Sequence, residues 1–409
     1  MEYANMIQCA FKLPNGTVLR NRLVKSAMSE ALGDRFNNPT QGLVNLFARW
    51  SKGGAGLLIT GNTPVDRCHL EHAGNFVLDC QSDMARARQL ATAAKSGGSV
   101  ALVQLAHAGR QTPELINPHP LSMSSLRLNL PGFGTPKVAT ESDFEDVVRK
   151  FTKSAALAKE AGFDGVQIHA AHGYLLSSSL SPRINTRDDR WGGSLKNRAR
   201  LVLAVVRAVR VEVGDDFILA TKLNSSDFQK GGFTHEDSIE VAKMLQNEGI
   251  DFLEISGGNF EAPASYQYKT KQSTIEREAY FLDYARDIKA VLNIPVMVTG
   301  GFRSALVMNN ALSSGATDLI GMGRPFIVDP EFPTKLLNGS IEMAPAVERD
   351  FPPAEELPRN AALNWFCHQL ALHGENGDSD IAVSVIDGHE NYLAAIKFLT
   401  DRFLAARVL

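Results

Sequence analysis

Short apolar runs alternate along the chain with longer segments whose apolar residues recur every three to four positions. The short runs fall at residues 23–28, 56–60, 100–105, 165–168, 217–223, 252–255, 296–299 and 318–320. Their lengths, and the lack of polar alternation, predict strands buried on both faces of a parallel sheet. Helical spacing fills the intervals, most clearly over 143–161, 197–213, 234–249 and 304–314, the last stopped by Gly315. Eight strands with intervening helices predict an α/β fold, a (β/α)8 TIM barrel. The rival is an open doubly wound sheet, but no G-x-G-x-x-G follows the first strand, where that fold carries its phosphate loop.

Asn15-Gly16, between two short apolar stretches, predicts a hairpin that caps the bottom of the barrel. Two long connections, 110–140 with five prolines and 257–274, break the rhythm. Both follow strands, so in a barrel both lie on the face where reacting groups collect. The reading divides the chain into a barrel, 1–345, and a C-terminal extension, 346–409, that packs on the barrel or on a partner subunit. Within the extension, Leu393, Ile396, Leu399, Phe403 and Leu404 recur at helical spacing, with packing on the barrel expected.

Composition narrows the function. Against 45 acidic residues stand 42 basic ones, a formal charge of −3, so nothing favours nucleic acid or an anionic membrane. At 44% hydrophobic and 21% charged the chain is too apolar for disorder. The first residues lack the basic and apolar regions of a signal peptide, and no apolar run spans a bilayer. Four scattered cysteines form no C-x-x-C pair, which argues against a cluster, a structural zinc or a disulfide scaffold. A reducing, cytoplasmic setting is the expectation, with a homodimer as one possible assembly.

Strand ends carry Ser29, Gly61-Asn62, Gln104, His107, His169, His172, Tyr174, Lys222, Gly300-Gly301 and Gly323-Arg324. Carboxylates are almost missing from that set. It suits neither glycoside hydrolysis nor a magnesium site, and it suits an anionic, planar, polar cofactor. Gly300, Gly301 and Arg303 after the seventh strand, with Gly323 and Arg324 after the eighth, form the pattern of a barrel phosphate site. His169 and His172 are either two imidazole donors aimed at one substrate oxygen, with Tyr174 as proton donor, or part of a zinc site completed by His107.

Gln104 to Arg110 (QLAHAGR), His169 to Arg198 (HAAHGYLLSSSLSPRINTRDDRWGGSLKNR), Asp318 to Arg324 (DLIGMGR) and the first-strand segment from Asn21 to Ser29 stand in one order. Together they resemble the old yellow enzyme family of FMN-dependent ene reductases, over residues 10–340. The resemblance implies a TIM barrel, bound FMN and NADPH or NADH as co-substrate. It implies Ala27, Met28 and Ser29 at one edge of the flavin, Asn62 near the ring, Gln104 on the pyrimidine edge and Lys222 beside N1. It also implies His169 and His172 on the substrate oxygen and Tyr174 protonating the α-carbon of a small enone or nitroalkene. Lys222 has a second reading as half of a structural ion pair. Without an anionic partner a lysine ending a buried strand is costly, which favours the flavin. Departures from the family pattern are Ser179 in place of an aromatic, Trp191 for Tyr, and Ala31 where some members place a tyrosine. Besides ene reduction, two readings stay open: a specialised FMN isomerase, dehydrogenase or demethylase, and a non-redox metal-dependent hydrolase.

Overall fold

Each of the eight apolar runs contains one strand of a closed barrel. In the computed structural model, which describes residues 5–262, 278–375 and 377–407, these strands are β1 (Leu23–Lys25), β2 (Leu57–Ile59), β3 (Val100–Ala106), β4 (Gly165–Ala170), β5 (Ile218–Asn224), β6 (Phe252–Ser256), β7 (Val296–Thr299) and β8 (Leu319–Met322). All neighbours are parallel, and β8 pairs with β1 to close the ring. An open doubly wound sheet has no such pairing, so the TIM barrel expectation stands.

Most of the longer helices between the strands start where a side chain can satisfy free backbone N–H groups. Thr140 caps Glu141–Glu160, with Asp143 completing a capping box. Ser194 caps Leu195–Val213, Thr234 caps His235–Asn247, and Ser304 caps Ala305–Ser313. The four predicted helices match these within a few residues. The predicted hairpin forms too: Phe11–Lys12 pairs antiparallel with Val18–Leu19, and Gly16 takes a φ of 92°.

Inside the barrel the side chains alternate by the strand period of two. Val24, Leu57, Leu102, Ile218, Phe252, Met297 and Leu319 form an apolar layer at the bottom, plugged from below by Leu13 and Leu19 of the hairpin. Cross-strand register then places Lys222 beside both His169 and Glu254. Above the apolar layer, therefore, the interior is polar. The opposite faces of the same strands, such as Val166, Leu219 and Leu253, join the large core beneath the helices.

The connection 110–140 folds back on itself through a bridge between Pro113 and Phe133 and a parallel pairing of Leu121–Ser122 with Lys137–Val138. Of the second long connection, residues 263–274 lie outside the described residues. After the barrel come the helices Ala361–Gly374 and Val385–Arg407. The first buries Trp365, Phe366 and Leu370, and its His373 Nε2 lies 2.6 Å from the Ile327 carbonyl oxygen on the barrel. The second is more exposed than its apolar stripe predicts. Phe403 is buried against Leu70, Val77 and Ile116, but Leu393 is exposed. No described helix is long and apolar enough to cross a membrane.

One ion pair is buried outside the barrel interior. Lys25 Nζ lies 2.6 Å from Glu30 Oε1 and donates to the Ile59 carbonyl, over the rings of Phe47 and Trp50. Breaking a buried pair leaves an uncompensated charge, which costs about 3–5 kcal/mol. Lys25→Met should lower the unfolding free energy by about that amount in urea titrations, and adding Glu30→Gln should recover part of it. A loss below about 1 kcal/mol for the single variant would contradict this account.

Candidate active site

All the strand-end residues nominated for chemistry or cofactor binding except Gly61 and His107 line one cavity of about 800 Å³ at the C-terminal mouth of the barrel. This holds for Ala27, Met28, Ser29, Asn62, Gln104, His169, His172, Tyr174, Lys222, Gly300, Gly301, Arg303, Gly323 and Arg324. The size falls within the range of about 300–1,000 Å³ common to ligand pockets.

The cavity floor is a hydrogen-bonded network. Lys222 Nζ stands 2.9 Å from Glu254 Oε1. Thr299 Oγ1 donates to the same oxygen at 2.7 Å, and Gln167 Nε2 donates to Oε2 at 2.7 Å. Gln104 Nε2 donates in turn to Gln167 Oε1. Lys222 thus has the anionic partner that the sequence did not reveal. Lys222 is half of an ion pair, the second of its two expected roles, and it also lines the cavity wall. Glu254 went unnoticed because a lone glutamate in a buried strand carries no local sign of what lies across from it.

His169 and His172 end β4. Their rings are 5.2 Å apart and nearly perpendicular, and His169 lies 4.9 Å from the Tyr174 ring. His169 Nδ1 accepts the Ala171 N–H, so its proton sits on Nε2. His172 has a φ of 62°, unusual for a residue with a side chain. It is held there by its N–H to Asn224 Oδ1 and by Nε2 at 2.8 Å from Ser256 Oγ. Burial pushes the pKa of both histidines well below 6.5; His172 and Lys222 add to the shift at His169, and Lys222 adds to it at His172. Both imidazoles are neutral at physiological pH.

His107 does not join them. Its Nδ1 accepts the Gly109 N–H, and its ring stacks 4.2 Å from that of His69, near Asp66. His69 Nε2 accepts the Leu121 N–H, and Lys150 holds the Asp66 carboxylate at 2.7 Å. Both histidines therefore turn N–H groups, not lone pairs, toward Asp66. The trio has the spacing of a metal site without its donor chemistry. A zinc site built from His169, His172 and His107 is not assembled.

At the glycine-rich end, Gly301 has a φ of 84°. A Cβ on Gly321 would come within 2.0 Å of Thr299 Oγ1, so only glycine fits. Arg303 and Arg324 both reach Glu348 Oε1. At the other end Glu71 Oε2 accepts from Ser29 Oγ and, at 3.2 Å, from Asn62 Nδ2. Asn62 Oδ1 is buried without a partner. Glu71 and His72, in the loop after β2, were missed, as were Glu348, Cys367 and Tyr392 from the extension. Nothing in their local sequence marks them.

The mouth of this barrel has glycines and arginines at one end, a lysine–glutamine floor and a histidine pair, donor groups suited to a ring cofactor with a phosphate tail. Residues 10–342 match the model of the NADH:flavin oxidoreductase / NADH oxidase family, and the chain belongs to that family. It is therefore an NAD(P)H-dependent flavin oxidoreductase with FMN as its cofactor. The chain is 36% identical over 363 residues to the NADH-dependent flavin oxidoreductase iliE of Neonectria sp. (strain DH2), covering 81% of this chain but 47% of that one. It is 32% identical over 383 residues to iliE of Hypocrea jecorina (strain QM6a), covering 87% and 93%. Its fold is that of the old yellow enzyme homologue from Zymomonas mobilis, with a TM-score of 0.72, 23% identity, and 86% and 97% of the chains covered. The residues present fit FMN: arginines and glycines for a phosphate, a backbone at Gly321 that a Cβ would block, and a cation and an amide on the cavity floor.

The neutral histidines carry a pH signature. Unfolded imidazoles take up protons near pH 6.5 and these buried ones do not. The unfolded state thus binds more protons below that pH, and stability falls as the pH falls, by about 1.4 kcal/mol per unit for each such group. His169→Asn removes one of them. The slope of unfolding free energy against pH between about 6.5 and 5 should flatten by that amount, and an unchanged slope would contradict a neutral His169.

Proposed function

We propose that this chain reduces the activated C=C bond of α,β-unsaturated carbonyl or nitro compounds with NADPH or NADH as reductant. The observation that supports it is the meeting of two neutral imidazoles and a phenol in one cavity. FMN, when bound, supplies hydride chemistry at its N5. In this reading Lys222 and Gln104 hold the pyrimidine edge, and Ala27, Met28, Ser29 and Asn62 border the ring. Gly300, Gly301, Arg303, Gly323 and Arg324 take the phosphate.

His169, through Nε2–H, and His172 grip the substrate oxygen and stabilise the negative charge that grows on it. Their neutrality suits this role: each donates a hydrogen bond and keeps its proton. Tyr174, beside His169, gives its phenolic proton to the α-carbon. Because nicotinamide and enone use the same cavity in turn, the kinetics are ping-pong.

Two variants test the reading. Tyr174→Phe should leave anaerobic bleaching of the flavin by NAD(P)H intact and slow enone reduction about 100-fold or more. Loss of flavin binding instead would refute the proton-donor role. His169→Ala should weaken binding of phenols held as oxyanions by about 10- to 100-fold, followed by their charge-transfer absorbance. Unchanged affinity would sink the histidine pair.

A further inference from the structure

The cavity is electrically uneven from end to end. At its phosphate end two arginines share one carboxylate, Glu348, which leaves a positive excess for an anionic tail. On its floor Lys222 is balanced by Glu254. At the opposite end stands Glu71, whose partners are a hydroxyl and an amide, Ser29 and Asn62. Among the described residues no lysine or arginine lies within ion-pair distance of it. The nearest basic group is His72, with Nε2 at 4.0 Å, and burial lowers the pKa of that ring so that it is neutral.

Two further observations point to a ligand there. The Asn62 side chain is 94% buried, since the residue is 6% exposed, and its Oδ1 has no partner. Both ring nitrogens of His72 are likewise buried without partners on the same cavity wall. Folding does not bury polar atoms in this way without return, because each costs about 1–3 kcal/mol. The wall facing them comes from the extension, beyond the family match, through Cys367 and Tyr392. Burial, with Glu71 adding its field, pushes the Cys367 thiol up to about 12 and the Tyr392 phenol well above its usual range. Neither group brings a charge to Glu71. Ser29, moreover, has a single hydroxyl proton. If it turns to the flavin, Glu71 loses a donor and its need for a cation grows.

We propose that Glu71, Asn62 and His72, closed over by Cys367 and Tyr392, form a subsite for a cationic nitrogen, so that the physiological substrate carries a protonated amine. The proposal rests on the reading above that the histidine pair holds the substrate oxygen. An ammonium group donates to Glu71 and to Asn62 Oδ1 and places its charge where the cavity has an excess of negative charge.

The test is calorimetric binding to the FMN-loaded protein. The probes are 4-hydroxyphenylalkylamines of increasing chain length, each compared with the 4-alkylphenol of equal length. At the matching length the amine should bind about 10- to 100-fold more tightly than its neutral twin. Glu71→Gln, which still accepts from Ser29 and Asn62, should erase that preference. Equal affinity of amine and alkyl probes in the wild type, or a preference that survives Glu71→Gln, overturns the proposal. Turnover of neutral 2-cyclohexenone by the wild type separates the two readings. Reduction without amine preference sinks the subsite alone, and amine preference without reduction sinks the ene-reductase reading alone.

Discussion

Everything at the mouth of this barrel rests on one buried contact, Lys222 with Glu254 at 2.9 Å, on top of a dry layer of apolar side chains. Glu254 is fully buried, and the energy of leaving either charge alone at that depth is several kcal/mol. The pair persists because the neighbouring strands complete it. Thr299 and Gln167 fill the remaining carboxylate positions, and Gln104 continues the chain of donors. The network makes a polar floor whose cation lines the cavity.

The histidines above that floor inherit their properties from it. Lys222 is one reason that both stay unprotonated. The strained backbone at His172 is held by Asn224 and Ser256, which sit on the ends of β5 and β6. Strain at a residue that points into a cavity, fixed by hydrogen bonds from two other strands, is a common way to preset a donor's direction. The same register that pairs lysine with glutamate therefore also sets both imidazoles on the cavity wall.

The cavity extends past the family match. Its outer wall is built by residues that follow the family match, where Trp365 and Phe366 anchor one helix to the barrel and Phe403 anchors the other. Cys367 and Tyr392 reach the site only because that docking occurs. Cofactor and reductant follow from the family match, and the helices beyond it line the same cavity.

How much of this the amino-acid order determines by itself can be stated residue by residue. The eight strands, the hairpin at Asn15-Gly16 and the capped helices were legible because they depend on local periodicity and on side chains that satisfy their own neighbours' backbone. The nominated site residues were legible because a barrel collects strand ends at one face, so position along each strand was enough to bring Ser29, Gln104, His169, Lys222, Gly301 and Arg324 together. Glu254, Glu71, Glu348, Cys367 and Tyr392 were not. Each matters through a partner more than thirty residues away in sequence, and whether two such residues meet depends on strand register and helix docking. Those are set by the packing of the whole molecule, and only the tertiary structure decided them.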